Sequence, residues 1–246
     1  MAKGIKLHVW GDYALFTRPE MKAERVSYDI MTPSAARGIV SAIYWKPQMD
    51  WIIDKIHVLK PIQFTSVRRN EVSGKAVAPT AAAMTGHAVD SMGIFIEDER
   101  QQRASLVLRD VAYIIEAHFE LRNSDLGSET PETLEAECGK HISMFNRRAR
   151  AGQCFQRPCL GCREFAANFC LIESDNEMPA STLPKSQCNK DFGFVFHDFI
   201  YREDPQGKII ESNTGKKLTA EPRFFRAEAQ NGVITVPALN SEEVRS

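Results

Sequence analysis

Six histidines supply the side chains best able to move a proton near neutral pH: His8, His57, His87, His118, His141 and His197. Two of them have company that matters for catalysis. His141 directly follows Lys140, so an ammonium able to neutralise an anion stands beside an imidazole able to carry a proton. By default such a pair is a solvated stretch at the start of a helix. His118 shares a strand face with Glu116 and Glu120, which would raise its basicity, although a histidine so placed on a sheet is more often structural. Acidic residues are plentiful, yet no carboxylate cluster has the spacing of a two-metal nuclease. Cys159-x-x-Cys162 has the spacing of half a zinc site and lacks a second CxxC or HxxxH pair. The six cysteines therefore read as buried free thiols. Between Arg147 and Arg163 stand five arginines with no acid among them: Arg147, Arg148, Arg150, Arg157 and Arg163. Arg18 with Lys22, and Arg68-Arg69, make smaller basic spots. In a chain of net charge −1, one local arginine concentration suits a defined anionic partner.

The elements that must position these groups follow from periodicity. Ile5, Leu7 and Val9 alternate with Lys6, His8 and Trp10, giving a half-buried strand. Thr32-Pro33 opens a helix with a hydroxyl cap and a proline at its first position. Ala35, Ala36, Ile39, Val40 and Ile43 form its stripe and Pro47 stops it, so Tyr44 is expected in its last turn. Ile56, Val58, Ile62 and Phe64 predict one long strand bent at Pro61. Residues 72–98, rich in small residues up to position 93, read as an insertion or extended hairpin. Alternation from Val111 to Leu121 gives the clearest strand. Pro131 begins a second helix with Leu134, Cys138, Ile142, Phe145 and Ala149 inside and Gly152 as its cap, and residues 163–172 make a fourth strand. The order β-α-β-β-α-β predicts an α+β chain whose residues 1–175 form a ferredoxin-like unit of the RNA-recognition type. After a polar linker, residues 190–246 are expected to make a small antiparallel β-sheet domain. It would include a hairpin across Asn231-Gly232. No stretch nears the ~18 apolar residues of a membrane span and no signal core opens the chain, so the expected location is cytoplasmic with no membrane partner.

Several segments together resemble a known family. They are Gly11-Asp12-Tyr13-Ala14-Leu15-Phe16-Thr17, Ser27-Tyr28, Ile43-Tyr44-Trp45-Lys46-Pro47, Lys60-Pro61-Ile62-Gln63, Gly139-Lys140-His141 and Leu160-Gly161-Cys162-Arg163-Glu164. In order and spacing the chain is similar to the fifth CRISPR-associated protein family of type I-C systems, within the RAMP superfamily. The match runs from the first strand to about residue 200. The resemblance implies an endoribonuclease that cuts CRISPR precursor RNA beside each repeat hairpin with neither metal nor other cofactor. It implies that the protein stays on the mature guide RNA, beside the large and backbone subunits of an effector complex and in reach of target DNA. It places the catalytic group on Tyr44, Lys140 and His141. Where the family often has Gly-Gly-Arg-Arg after the second helix, this chain reads Ala151-Gly152-Gln153-Cys154, with its arginines displaced to neighbouring positions.

Metal-free RNA cleavage needs the 2′-hydroxyl deprotonated, in-line attack, charge stabilised on phosphorus and the 5′-oxygen protonated. His141 suits the acid/base work, its reference pKa being ~6.5. Lys140 suits the phosphate. Tyr44, with a reference pKa of ~10, suits a base only if perturbed and otherwise a positioning donor. Arg18, Arg69, Arg147, Arg148, Arg150 and Arg163 are the candidate RNA contacts, with Trp45 and Tyr13 as candidate stacking rings. The competing expectation is a non-catalytic cap on the 5′ end of the guide RNA.

Overall fold

The structure is a computed structural model that describes residues 4–21, 23–74, 78–79, 81–85, 95–121, 131–210 and 215–246. Lys22, His87 and much of the expected insertion lie outside the described residues. Strand β1 (Ile5–Ala14) buries Ile5, Leu7 and Val9 as the alternation requires. Helix α1 (Pro33–Ile43) starts as expected, with Thr32 Oγ1 accepting from the Ala35 N–H at 3.2 Å. Strand β2 (Met49–Val58) follows, then β3 (Phe64–Val72), two single turns α2 (Ala81–Met84) and α3 (Ile96–Glu99), and the long β4 (Arg100–Leu121). Helix α4 (Pro131–Arg150) leads to β5 (Asn168–Ile172). The short α5 (Lys185–Cys188) precedes β6 (Lys190–Glu203), β7 (Ile209–Ile210), β8 (Lys217–Gln230), β9 (Val233–Thr235) and β10 (Val244–Arg245).

One antiparallel sheet runs through these strands in the order β10-β8-β9-β2-β4-β1-β5, with β3 paired to β4, and β6 and β7 paired to β8. Both long helices pack on one face of it. Ile39, Val40 and Ile43 of α1 and Phe145 and Ala149 of α4 share a core with Leu7, Val9, Trp51, Ile115, Ala117 and Phe119. Of the expected α4 stripe, Cys138 and Ile142 pack against this core, while the Leu134 side chain lies outside the described residues. Ala112, Ile114, Leu59 and Ile172 make a smaller cluster on the other face, capped by Trp10. Among the described residues no helix is long and apolar enough to cross a membrane.

Four expectations are corrected. The single bent strand is two: β2 ends at Val58 opposite Tyr113, and pairing resumes only at Phe64 opposite Leu108. Pro61 has no N–H to give a ladder, and Leu59 instead accepts from the Thr182 N–H. The hairpin component of the expected insertion is larger than drawn, because β3 and the first nine residues of β4 form a ribbon whose pairing starts well before residue 72. The fourth strand is shorter, since Leu160 and Phe165 close a turn (Leu160 N–H to Phe165 O, 2.8 Å) before β5 begins. The cysteines are all free, but none is fully buried: Cys138, Cys159, Cys162 and Cys188 are half-buried, and Cys154 and Cys170 are exposed. The Asn231-Gly232 turn has φ of 53° and 80° as a type I′ hairpin requires. Its β9 strand pairs onto β2 through Lys55, Ile56 and His57, so the C-terminal strands extend the N-terminal sheet.

Candidate active site

Tyr44 is the first residue past α1 and not a member of its last turn. Its N–H still closes on Val40 O at 3.1 Å, but φ −153° and ψ 126° are extended, which turns the ring inward. Three contacts fix it there. The Trp51 indole N–H donates to the Tyr44 carbonyl at 2.8 Å. The Arg148 guanidinium lies 5.1 Å from the ring centroid and donates to the Ile43 carbonyl at 3.1 Å. The Tyr44 hydroxyl meets His141 Nδ1 at 2.8 Å. His141 sits on the inner side of α4, buried, with the Phe119 ring edge-on at 5.9 Å.

Burial decides the charge state of the pair. It pushes the Tyr44 hydroxyl above its ordinary value, with Arg148 pulling the other way. It pulls His141 below the ordinary imidazole value, opposed by Glu137 and reinforced by Lys140 and Lys46. Near neutral pH the two groups are therefore a phenol and a neutral imidazole sharing one hydrogen bond. The phenol holds the ring's orientation and can accept from Nδ1–H, which leaves the Nε2 lone pair as a base. With only 2% of Tyr44 exposed, its hydroxyl lies behind His141, away from solvent.

Lys140 is exposed on the same turn of α4. Lys46 is a second cation close enough to act on His141. Residue-by-residue reading passed over it; the available signal was its place two residues after Tyr44. His118, the rival proton carrier, is on the opposite face of the sheet, because Phe119 next to it faces α4. Its Nδ1 is held by the Asp54 carboxylate at 2.8 Å, where a register shift in β2 offers that side chain. The expected partner Glu116 instead meets His57 Nε2 at 2.9 Å. Cys159 and Cys162 are half-buried free thiols, and burial pushes the Cys159 thiol up.

The candidate RNA-binding arginines are not one patch. Arg147, Arg148 and Arg150 share the last turn of α4 and diverge: Arg148 turns to Tyr44, while Arg150 pairs with Glu173 at 2.6 Å. Arg69 pairs with Glu164 and so lies at the 160–165 turn that also carries the exposed Arg163. Arg18 is held by Asp29 at 3.2 Å over the Tyr28 ring. Tyr13 leans on Phe165 and Trp45 is half exposed.

With this fold and site in view, known proteins supply the class. The family model described as CRISPR-associated protein (Cas_Cas5) matches residues 4–237. In fold the chain is similar to a solved structure titled "Crystal Structure of CRISPR-associated Protein", with a TM-score of 0.63 and 24% identity over 100% of this chain and 97% of that one. It is also similar to a functionally uncharacterized protein from Streptococcus mutans, with a TM-score of 0.60 and 22% identity over 100% and 98% of the two chains. Within that class, the chain belongs to the Cas5d family. A relative from Mannheimia succiniciproducens is 52% identical over 246 residues, all of both chains, and one from Thermus thermophilus is 37% identical over 98% of this chain and 94% of its own. Both carry the name CRISPR pre-crRNA endoribonuclease Cas5d.

Proposed function

We propose that the chain cuts CRISPR precursor RNA beside the repeat hairpin by attack of a 2′-hydroxyl on the adjacent phosphate, without a metal ion, and stays on the guide RNA as a subunit of a type I-C effector complex with its large and backbone subunits. The full-length relatives of that name support the substrate. The 2.8 Å bond between Tyr44 and His141 carries the chemistry. His141 Nε2 takes the 2′-hydroxyl proton, the 2′-O–P bond forms, the P–O5′ bond breaks and the departing oxygen gains a proton from water. Lys140 faces the charge growing on the non-bridging oxygens, and Tyr44 keeps the imidazole in its working orientation. Arg147, Arg148 and Arg163, in no ion pair among the described residues, contact phosphates; Arg18, Arg69 and Arg150 do so by exchanging a carboxylate for the RNA. The β5-β1-β4-β2 order with α1 and α4 on one face supports reading residues 1–175 as a ferredoxin-like RNA-binding unit and 190–246 as a small C-terminal unit.

The test is incubation of the purified protein with repeat hairpin RNA in EDTA. Cleavage is expected, its loss on replacing the scissile 2′-hydroxyl by hydrogen is expected, and His141→Ala should abolish it with hairpin affinity held within a few-fold. Binding without cleavage would leave the protein as a cap on the guide RNA 5′ end. Cleavage of the deoxy substrate would rule out transesterification.

A further inference from the structure

Two aromatic rings stand in solvent beside the candidate site, Trp45 at 50% and Phe155 at 89% exposure. Phe155 is not on a loose segment. Its N–H donates to Ala42 O at 2.8 Å, and the Gln156 N–H reaches the same carbonyl at 3.3 Å. The turn after α4 is thereby tied to the last turn of α1, two residues before Tyr44, and holds the ring outward. Both rings line one open groove of about 760 Å³ together with Arg37, Ser41, Lys46 and Arg148. Arg37 is committed to Asp198 by two hydrogen bonds of 2.5 and 3.1 Å, and Asp50 also lines the groove. Lys46 and Arg148 bring positive charge to the groove, and the bond from Arg148 to the Ile43 carbonyl offsets none of it. Through Gly38, Ala42 and Gln156 the groove continues into a second hollow lined by Arg157. The groove adjoins the candidate active site through Arg148, which lines it and lies 5.1 Å from the Tyr44 ring centroid.

We propose that this groove is a single-strand subsite in which unpaired bases flanking the cut stack on Trp45 and Phe155 while their phosphates lie on Lys46, Arg148 and Arg157. Rings and cations lining one trough match how proteins hold single strands, and stacking tolerates any base because each has a π-face. The inference rests on the RNA-cutting function proposed above and adds the part of the RNA that the protein grips. A protein subunit would also be drawn to exposed rings, but Lys46 and Arg148, lining the same groove as the rings, favour a polyanion.

The experiment uses repeat RNA made uncleavable by a 2′-deoxy scissile nucleotide, with 2-aminopurine placed in turn at the unpaired positions around the cut. Binding to the unaltered protein should quench the fluorophore at one or more positions. Phe155→Ala and Phe155→Leu should both lose the quench, Phe155→Tyr should keep it, and Trp45→Ala with Phe155→Ala should weaken binding roughly 5- to 100-fold. At its exposure, Phe155 can be changed without disturbing the fold, and an unchanged thermal transition checks this. Unaltered quench and affinity in Phe155→Ala would overturn the subsite even where the unaltered protein cuts RNA. RNA binding that survives while assembly with the effector subunits fails would make the groove a protein interface instead. No RNA binding by the unaltered protein would remove both this subsite and the function it rests on.

Discussion

In the proposed reaction, the hydrogen bond between Tyr44 and His141 divides the work between a group that moves a proton and a group that holds it in place. Tyr44→Phe keeps the ring under Arg148 and beside Trp51 and removes only the hydroxyl. It should lower kcat roughly ten- to hundred-fold with little change in KM, the scale on which partners that orient an imidazole act. A loss as complete as that of His141→Ala would instead make Tyr44 a direct proton carrier. Because burial pulls His141 below the ordinary value, its neutral, base-competent form persists into mild acid. The cleavage rate should therefore hold as pH drops to about 6.5 and fall only below it. A rate already falling between pH 8 and 7 would place another group in the role.

At the scale of elements, the site exists because the end of α1 and the inner side of α4 meet over β2 and β4. Arg148 is the clasp, reaching from α4 to the carbonyl of Ile43 and to the face of Tyr44. Arg148→Lys keeps the charge and loses the planar, directed contact. It should cost about 1–2 kcal/mol in urea unfolding and slow cleavage; full activity and stability would show that the clasp is dispensable. Much of this level was legible in the sequence. Thr32-Pro33 marked the start of α1, the alternation of Ile5 to Val9 and of Val111 to Leu121 marked the central strands, and Asn231-Gly232 marked the last hairpin. The break between β2 and β3 was hidden because Ile62 and Phe64 keep the apolar spacing of Ile56 and Val58 across the stretch where pairing has stopped. The start of β3 was hidden because its pattern buries no side chain fully. The partner of His118 depended on a register shift that places Asp54, which no periodicity encodes. Tyr44 and His141 themselves were joined by family resemblance; the helices explain why the join is possible and not why these two residues make it.

At the scale of the molecule, one sheet carries every strand among the described residues, and the core mixes its two ends. Val195, Phe225, Ala227 and Ile234 pack with Leu7, Ile39 and Phe145, while the Val58 N–H donates to Gly232 O at 2.8 Å. Heat should therefore unfold the chain in a single calorimetric transition whose van't Hoff and calorimetric enthalpies agree. Two resolved transitions would show residues 190–246 to be an independent folding unit. Three histidines on separate elements, His8, His141 and His197, are all pulled below their ordinary value, in each case chiefly by burial. In the window between those lowered values and ~6.5, the unfolded chain binds more protons than the folded one, so stability rises with pH there. Urea unfolding followed against pH should be level above about 6.5 and weaken as pH falls through the lowered values. Stability that grows on acidification would contradict the burial of these rings. The reach of the Tyr44–His141 bond, 97 residues along the chain, has a consequence in time as well as in space. Contacts so far apart form late, after the loop between them has been closed at an entropic cost. During synthesis the α1 end waits, without its partner, until β4 and α4 have emerged and docked. On the proposed roles, a partly made or partly folded chain holds the tyrosine but no oriented base, so cutting would await the docking of α4 on the sheet.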